Sequence, residues 1–81
     1  MSGYRAEFMV EPFVEGSLGP AVLAAVDAVV ACGFEPSIDA FGTTIEGDPE
    51  PVVAALADML HAAMGAGATR VTVQVECRSE S

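Results

Sequence analysis

Positive charge is the scarcest feature of this 81-residue chain, in which three basic residues, all arginines, face 12 Asp and Glu. The formal net charge at pH 7 is −9. Such a chain repels a phosphate backbone, which excludes nucleic-acid binding as a function class. The electrostatic field of this negative charge attracts cations and favours a positively charged small ligand or a basic partner. The alternative is that the charge only keeps the protein soluble.

Cysteine and histidine are too few and too widely spaced to predict a metal site or a redox pair. Cys32 and Cys77 lie far apart, with no second Cys or His near either at metal-ligand spacing, so we expect two free, reduced thiols. The lone His61 falls within a predicted helix, where a surface or partly packed role is expected. Because Ser17 has no base visible in the sequence and no phosphate-binding glycine motif occurs, the sequence predicts a protein that is not an enzyme.

Long hydrophobic runs are also missing, even though 52% of the residues are hydrophobic. No segment approaches the roughly 20 apolar residues that a membrane-spanning helix needs, so no membrane insertion is expected. The first residues lack a basic region followed by an apolar one, which predicts a cytoplasmic protein. The length suits one domain, residues 1–81, whose small core would gain from self-association.

The apolar residues that are present follow the periodicities of alternating strands and helices. Strands are predicted at residues 5–11, 34–40, 43–47 and 70–76, and helices at residues 20–32 and from residue 49 to 65 or 67. This βαββαβ order, with right-handed crossovers, predicts a ferredoxin-like α+β two-layer sandwich. Its antiparallel sheet should have strand order 4-1-3-2, with both helices on one face.

The predicted core lies between one apolar stripe of each helix and the inner face of the sheet. Asp48 is predicted as the N-cap of the second helix and Pro49 as its first residue. The first helix should bury Val22, Val26, Val29 and Val30. The second helix should bury Val52, Leu56, Met59, Leu60 and Ala63. The sheet should contribute Phe8, Val10, Ile45, Val71, Val73 and Val75.

The outer face of the predicted sheet has no helix to cover it. It collects Glu7, Met9, Glu11, Thr44, Glu46, Thr72, Gln74 and Glu76. Because the first and third strands are neighbours, Glu7 and Glu46 are expected to lie close together and to repel each other unless a cation compensates them. An amino-bearing or cationic ligand would do so, as would an arginine from a second subunit. Two solvated carboxylates are the alternative.

Aromatic residues at strand ends and one permissive loop are further candidate ligand contacts. The rings of Tyr4, Phe13 and Phe41 can stack on a flat ligand, or can serve only as core and hinge packing. The loop at residues 15–19 can fold over a bound molecule and present Ser17, or can be a plain connection. The residues alone leave these alternatives open.

Three blocks of the sequence resemble the thiamine-binding protein family related to the YkoF proteins. They are AEFMVEP at residues 6–12, FGTTIEGD at residues 41–48 and GATRV at residues 67–71, and the middle block is the most specific. The resemblance covers almost the whole chain. It implies a ferredoxin-like fold that binds thiamine or its hydroxymethylpyrimidine part, without catalysis, in thiamine salvage or transport. Some relatives carry two repeats in one chain, so this single repeat implies a homodimer or homotetramer.

Thiamine chemistry suits several residues of the predicted sheet. Its cationic thiazolium and its aminopyrimidine match carboxylate acceptors, hydroxyls and aromatic rings. The predicted ligand-binding residues are Glu7 and Glu46 as acceptors, Thr43 and Thr44 through their hydroxyls, Phe41 by stacking and Ser17 from the loop. No catalytic residue, catalytic cofactor or metal site is expected. The shortage of cations predicts a preference for unphosphorylated thiamine or hydroxymethylpyrimidine over the diphosphate.

Two other functions compete with ligand binding. The chain can be an oligomeric structural or regulatory subunit whose outer sheet face is a protein interface, with Met9, Thr44 and Gln74 packed on another chain. It can also be a small enzyme that acts on an amine or cationic substrate through Glu7 and Glu46. Thermal stabilisation by thiamine separates ligand binding from the first of these.

Overall fold

The computed structural model describes residues 3–12, 19–40 and 42–78. The elements in these ranges are β1 (Gly3–Glu11), α1 (Pro20–Ala31), β2 (Ser37–Asp39), β3 (Gly42–Gly47), α2 (Pro49–Gly65) and β4 (Arg70–Arg78). The four strands form one sheet of order β2-β3-β1-β4, with every neighbouring pair antiparallel. The predicted βαββαβ ferredoxin-like sandwich is therefore confirmed, since this order is 4-1-3-2 read from the other edge.

β2 is shorter than predicted, whereas β1 and β4 are each two residues longer. β2 has three residues and begins only after Pro36, because proline has no N–H to donate to a ladder. Its predicted edge position is confirmed. β4 runs two residues beyond its predicted end, to Arg78, because β1 begins at Gly3 and offers a pairing partner at every step.

Alanines, rather than valines, form most of the buried stripe of α1. Ala21, Ala25 and Val29 are buried, at a spacing of four residues, whereas Val30 is 51% exposed. Only Val29 of the predicted valine stripe is therefore fully buried. Small side chains on this stripe allow the helix to approach its neighbours closely and to fill the interface without voids.

The helix α2 supplies the larger share of the helical core. Its buried residues are Val52, Ala55, Leu56, Met59 and Ala63. Leu60 was expected in this stripe and is exposed. Asp48 and Pro49 take the predicted N-cap and first positions, although the Asp48 side chain makes no capping hydrogen bond. Its negative charge still lies at the end of the helix where the macrodipole favours an anion.

The inner face of the sheet is buried at its centre and partly open at one edge. Phe8 of β1 and Ile45 of β3 are among the largest fully buried side chains, as predicted. On β4, Val71 and Val73 are half-buried, and Val75 is 47% exposed. Val71 and Val73 pack against the core from the predicted inner face, whereas Val75 contributes little to it. The helices pack mainly on the central strands and on each other, so the edge strand is covered less.

Both cysteines are free, as predicted, and both are exposed. The Cys32 Sγ, just after α1, donates a hydrogen bond to Asp58 Oδ2 of α2 over 3.4 Å. Desolvation, this hydrogen bond and the charge of the Asp58 carboxylate raise the pKa of the Cys32 thiol. A raised pKa keeps the thiol protonated, which makes it a poor nucleophile.

Within the described ranges, no helix is long and apolar enough to cross a membrane. No group of three or more His, Cys, Asp or Glu within these ranges is placed to hold a metal ion.

Candidate functional site

The outer face of the sheet presents a line of polar side chains that we call the polar row, Ser37–Thr44–Glu7–Gln74. The strand register creates it, because it pairs Glu7 with Thr44 on one side and with Gln74 on the other, and Thr44 with Ser37. Residues directly opposite each other in antiparallel strands point to the same face. Each of the four strands therefore contributes one side chain with hydrogen-bonding capacity to this row.

The next line across the sheet, which we call the charged row, is Glu46–Arg5–Glu76. Arg5 Nη1 donates to Glu76 Oε1 at 3.2 Å, and Arg5 Nε lies 3.7 Å from Glu46 Oε1. Arg78 Nη1 lies 3.9 Å from the other oxygen of Glu46. These exposed pairs each contribute only about 0–1 kcal/mol to stability, but they neutralise Glu46 within its own chain. Neither a ligand cation nor an arginine from a second subunit is needed to compensate it.

Glu7 differs from Glu46 in its charge environment. It is half-buried, and its carboxylate has no ion pair among residues 3–12, 19–40 and 42–78. Glu7 and Glu46 lie diagonally across the β1–β3 pair, because the register places Arg5 opposite Glu46. The half-buried carboxylate of Glu7 can accept hydrogen bonds. It lies between the Thr44 hydroxyl and the Gln74 amide, each of which can both donate and accept hydrogen bonds.

Shallow depressions flank Glu7 on this face. One, of about 310 Å³, is lined by Arg5, Glu7, Gln74, Val75 and Glu76. A second, of about 160 Å³, is lined by Glu7, Phe8, Met9, Thr72 and Gln74. Glu7 and Gln74 border both. A larger polar groove of about 610 Å³ lies over Thr44 and Glu46 and extends to Ser37.

A more apolar recess of about 110 Å³ lies at the end of the β1–β3 pairing, which stops at Phe8 and Thr43. Thr43 is buried and lines this recess, with its side chain on the helix-facing side of β3. Thr44 is on the opposite side, because side chains alternate along a strand. The two threonines therefore do not belong to one surface.

The structure brings together three of the six predicted ligand-binding residues, since Glu7, Thr44 and Glu46 share the outer face. Thr43 lies apart from them at the recess. The predictions for Phe13, Ser17 and Phe41 fall outside the described residues.

Sequence reasoning missed Ser37, Gln74 and Arg5 as neighbours of the predicted carboxylates. The parity of each strand already placed Gln74 on the outer face, but only the register of distant strands brings it beside Glu7. Ser37 was expected on the opposite side from Ile38, yet no local signal connects it to Thr44. Register between strands depends on tertiary pairing, so these neighbours had no signal in the sequence.

Solved structures of low sequence identity have the same fold. A domain of unknown function, DUF77, from Bacillus cereus is 22% identical with a TM-score of 0.70, covering 98% of this chain and 78% of that one. A hypothetical protein from Methanocaldococcus jannascii is 19% identical with a TM-score of 0.70, covering 96% and 80%. A candidate thiamine biosynthesis/salvage protein from Thermotoga maritima is 20% identical with a TM-score of 0.69, covering 99% and 85%. At these identities the likeness shows the fold alone.

The comparison at family level is more specific. No curated protein matches this chain in sequence. The model of the family described as thiamine-binding protein matches residues 6–80, which is nearly the whole chain and includes all of β3 and most of β1. The chain therefore belongs to the thiamine-binding protein family.

Proposed function

We propose that this protein binds thiamine or its hydroxymethylpyrimidine part on the outer sheet face and catalyses no reaction. The observation that carries the proposal is Glu7, a half-buried carboxylate without an ion pair in the described ranges, between Thr44 and Gln74 in the polar row. Membership of the thiamine-binding family supports a ligand of this class.

The polar row matches the hydrogen-bonding pattern of an aminopyrimidine. The Glu7 carboxylate accepts from the exocyclic amino group in a charge-assisted bond. The Thr44 hydroxyl and the Gln74 amide each both donate and accept, so they suit the ring nitrogens. The cationic thiazolium is attracted by the net charge of −9. In this proposal Glu46 is a secondary acceptor, because Arg5 and Arg78 already neutralise it.

Three further contacts and the setting belong to the same proposal. Ser17, Phe41 and Thr43 are retained as contacts at the end of the sheet, with Phe41 stacking on the ligand. The protein acts in thiamine salvage or transport, in the cytoplasm, as a homodimer or homotetramer. The name of the Thermotoga maritima structure, a thiamine biosynthesis/salvage candidate, supports this setting.

Isothermal titration calorimetry with thiamine tests the proposal on the wild type and on Glu7→Gln, Glu46→Gln and Glu50→Gln. Glu7→Gln should weaken binding by about tenfold or more, since it removes a charge-assisted acceptor worth about 1.5–3 kcal/mol. Glu46→Gln should have a smaller effect. Glu50 lies in the first turn of α2, so Glu50→Gln is the matched control and should leave the affinity unchanged.

Two outcomes would overturn this proposal. The first is no heat of binding and no thermal stabilisation of the wild type at millimolar thiamine. The second is an equal loss of affinity in Glu7→Gln and Glu50→Gln, because a site on the outer face cannot respond to both in the same way.

One observation favours the competing function of an oligomeric structural or regulatory subunit. Met9 is exposed on the outer face beside the polar row, where a large apolar side chain gains from packing against another chain. Under this alternative, Met9→Ser dissociates the oligomer in size-exclusion chromatography, and thiamine does not stabilise the folded state.

A further inference from the structure

Arg5 is the arginine that lies beside the proposed acceptor Glu7 along β1. The two residues are two positions apart on the outer face, which separates their Cα atoms by about 6.5 Å. Both border the depression of about 310 Å³, together with Gln74 and Glu76. Among the described residues, no other arginine borders either depression that Glu7 lines. A ligand anchored on Glu7 that extends toward the start of β1 therefore meets Arg5.

The direction toward Arg5 offers a ligand the larger space. The depression on the other side of Glu7, over Met9 and Thr72, measures about 160 Å³. The larger one is also bordered by Glu76, whose carboxylate attracts a cation such as the thiazolium. With the aminopyrimidine on Glu7, the thiazolium and any phosphate attached beyond it extend over the charged row. This orientation rests on the proposed function.

The chain itself occupies Arg5 on both sides. The strand register places this arginine between Glu46 and Glu76. Its Nη1 donates to Glu76 Oε1 over 3.2 Å, and its Nε lies 3.7 Å from Glu46 Oε1. Arginine recognises phosphate through N–H groups in a fixed plane. Because these N–H groups already face carboxylates, a phosphate must displace a glutamate before it can bind Arg5.

We propose that Glu76 sets the preference of this site for the unphosphorylated ligand, and that it acts through Arg5. Glu76 differs from Glu46 in two respects. Its contact with Arg5 is the shorter one, and it borders the depression that Glu7 lines, whereas Glu46 borders the neighbouring groove. Its charge therefore favours a thiazolium and repels a phosphate at the same place. Its hydrogen bond also keeps Arg5 from the phosphate.

Isothermal titration calorimetry with thiamine and thiamine monophosphate tests the proposal on the wild type and on Glu76→Gln. The variant should bind the monophosphate about five- to tenfold more tightly at low salt, because Arg5 gains a charge-assisted bond to the phosphate. The affinity for thiamine itself should not rise, because the thiazolium loses a neighbouring carboxylate. The Glu76 side chain is 68% exposed, so the substitution leaves the core intact.

Glu11→Gln is the matched control. Glu11 lies on the same face of β1, and its carboxylate is 3.6 Å from Nε of Arg70, so this variant removes the same charge and releases another arginine. Glu11 is six residues from Arg5, however, which is about 20 Å along the strand. The control should change the affinity for the monophosphate by less than about twofold. Equal gains in Glu11→Gln and Glu76→Gln would mean that only net charge matters, and would overturn the proposal.

Pyrophosphate separates a failure of this proposal from a failure of thiamine binding, because it needs no aminopyrimidine site. Glu76→Gln should bind pyrophosphate more tightly than the wild type does, and adding Arg5→Gln to this variant should remove the gain. If thiamine gives no heat of binding, the proposed function fails, and pyrophosphate still decides whether Glu76 keeps Arg5 from phosphate. The proposal is wrong if neither phosphate compound binds Glu76→Gln more tightly, or if the gain persists without Arg5.

Discussion

At the scale of single residues, the first position of β3 requires glycine. Gly42 occupies it, at the start of the strand that carries Thr44 and Glu46. Its φ is +143°, and a Cβ there would lie 2.5 Å from the carbonyl oxygen of Phe8 on the neighbouring strand. A second glycine of the same block, Gly47, is close-packed as well, since its Cβ would lie 2.9 Å from Cε1 of Phe34. Two glycines of the middle sequence block thus serve close packing of β3.

Gly42→Ala should lower the free energy of unfolding by about 1–3 kcal/mol, because a side chain forces strained backbone against β1. Urea denaturation measures this change. Gly65→Ala is the matched control, since Gly65 is the last residue of α2 and a Cβ there meets nothing within 4 Å. The control should be neutral or stabilising by up to about 1 kcal/mol. Equal losses in the two variants would refute the account of Gly42.

At the scale of elements, β1 connects the core to the proposed site. Ala6, Phe8 and Val10 are buried against the helices, while Arg5 and Glu7 occupy the charged row and the polar row. A slip of one residue would exchange the two faces, so burial of the core also determines where the site carboxylate lies.

Two methionines of α2 test how the core is divided between helix faces. Met59 is 0% exposed and Met64 is 49% exposed. Met59→Ala should cost about 2–5 kcal/mol of unfolding free energy, because it leaves a cavity among packed side chains. Met64→Ala should stay within about 0.5 kcal/mol of the wild type. Chemical denaturation of both variants, followed with the same probe, measures these changes. Similar losses of unfolding free energy in the two variants would mean that α2 packs on a different face.

At the scale of the whole molecule, the charge balance predicts which form of the ligand binds. The net charge is −9, and Arg5, Arg70 and Arg78 each form an ion pair with a glutamate. The negative charge of the protein therefore repels a diphosphate. The diphosphate must also compete with a glutamate for each arginine.

Calorimetry should show thiamine diphosphate binding on the order of tenfold more weakly than thiamine at low salt. Added salt should narrow this difference, because it screens the repulsion. Hydroxymethylpyrimidine, which lacks both the cation and the phosphates, is the control and should respond little to salt. Diphosphate binding as tight as that of thiamine would show that the arginines are free to recognise phosphate.

The sequence by itself determined the order of the elements, the inner and outer faces of the central strands and the edge position of β2. Alternation with a period of two is a local property, so Phe8 and Ile45 could be assigned to the core and Glu7, Thr44 and Glu46 to the opposite face.

Tertiary structure decided the rotation of the helices and the neighbours within the site. Alanine and valine are both apolar, so only packing reveals that Ala25 is buried and Val30 exposed. Register joins segments that are distant in the chain, so only the assembled sheet places Arg5 against Glu46 and leaves Glu7 beside Gln74. Local periodicity gives the face on which a side chain lies, whereas pairing between strands selects its neighbours on that face.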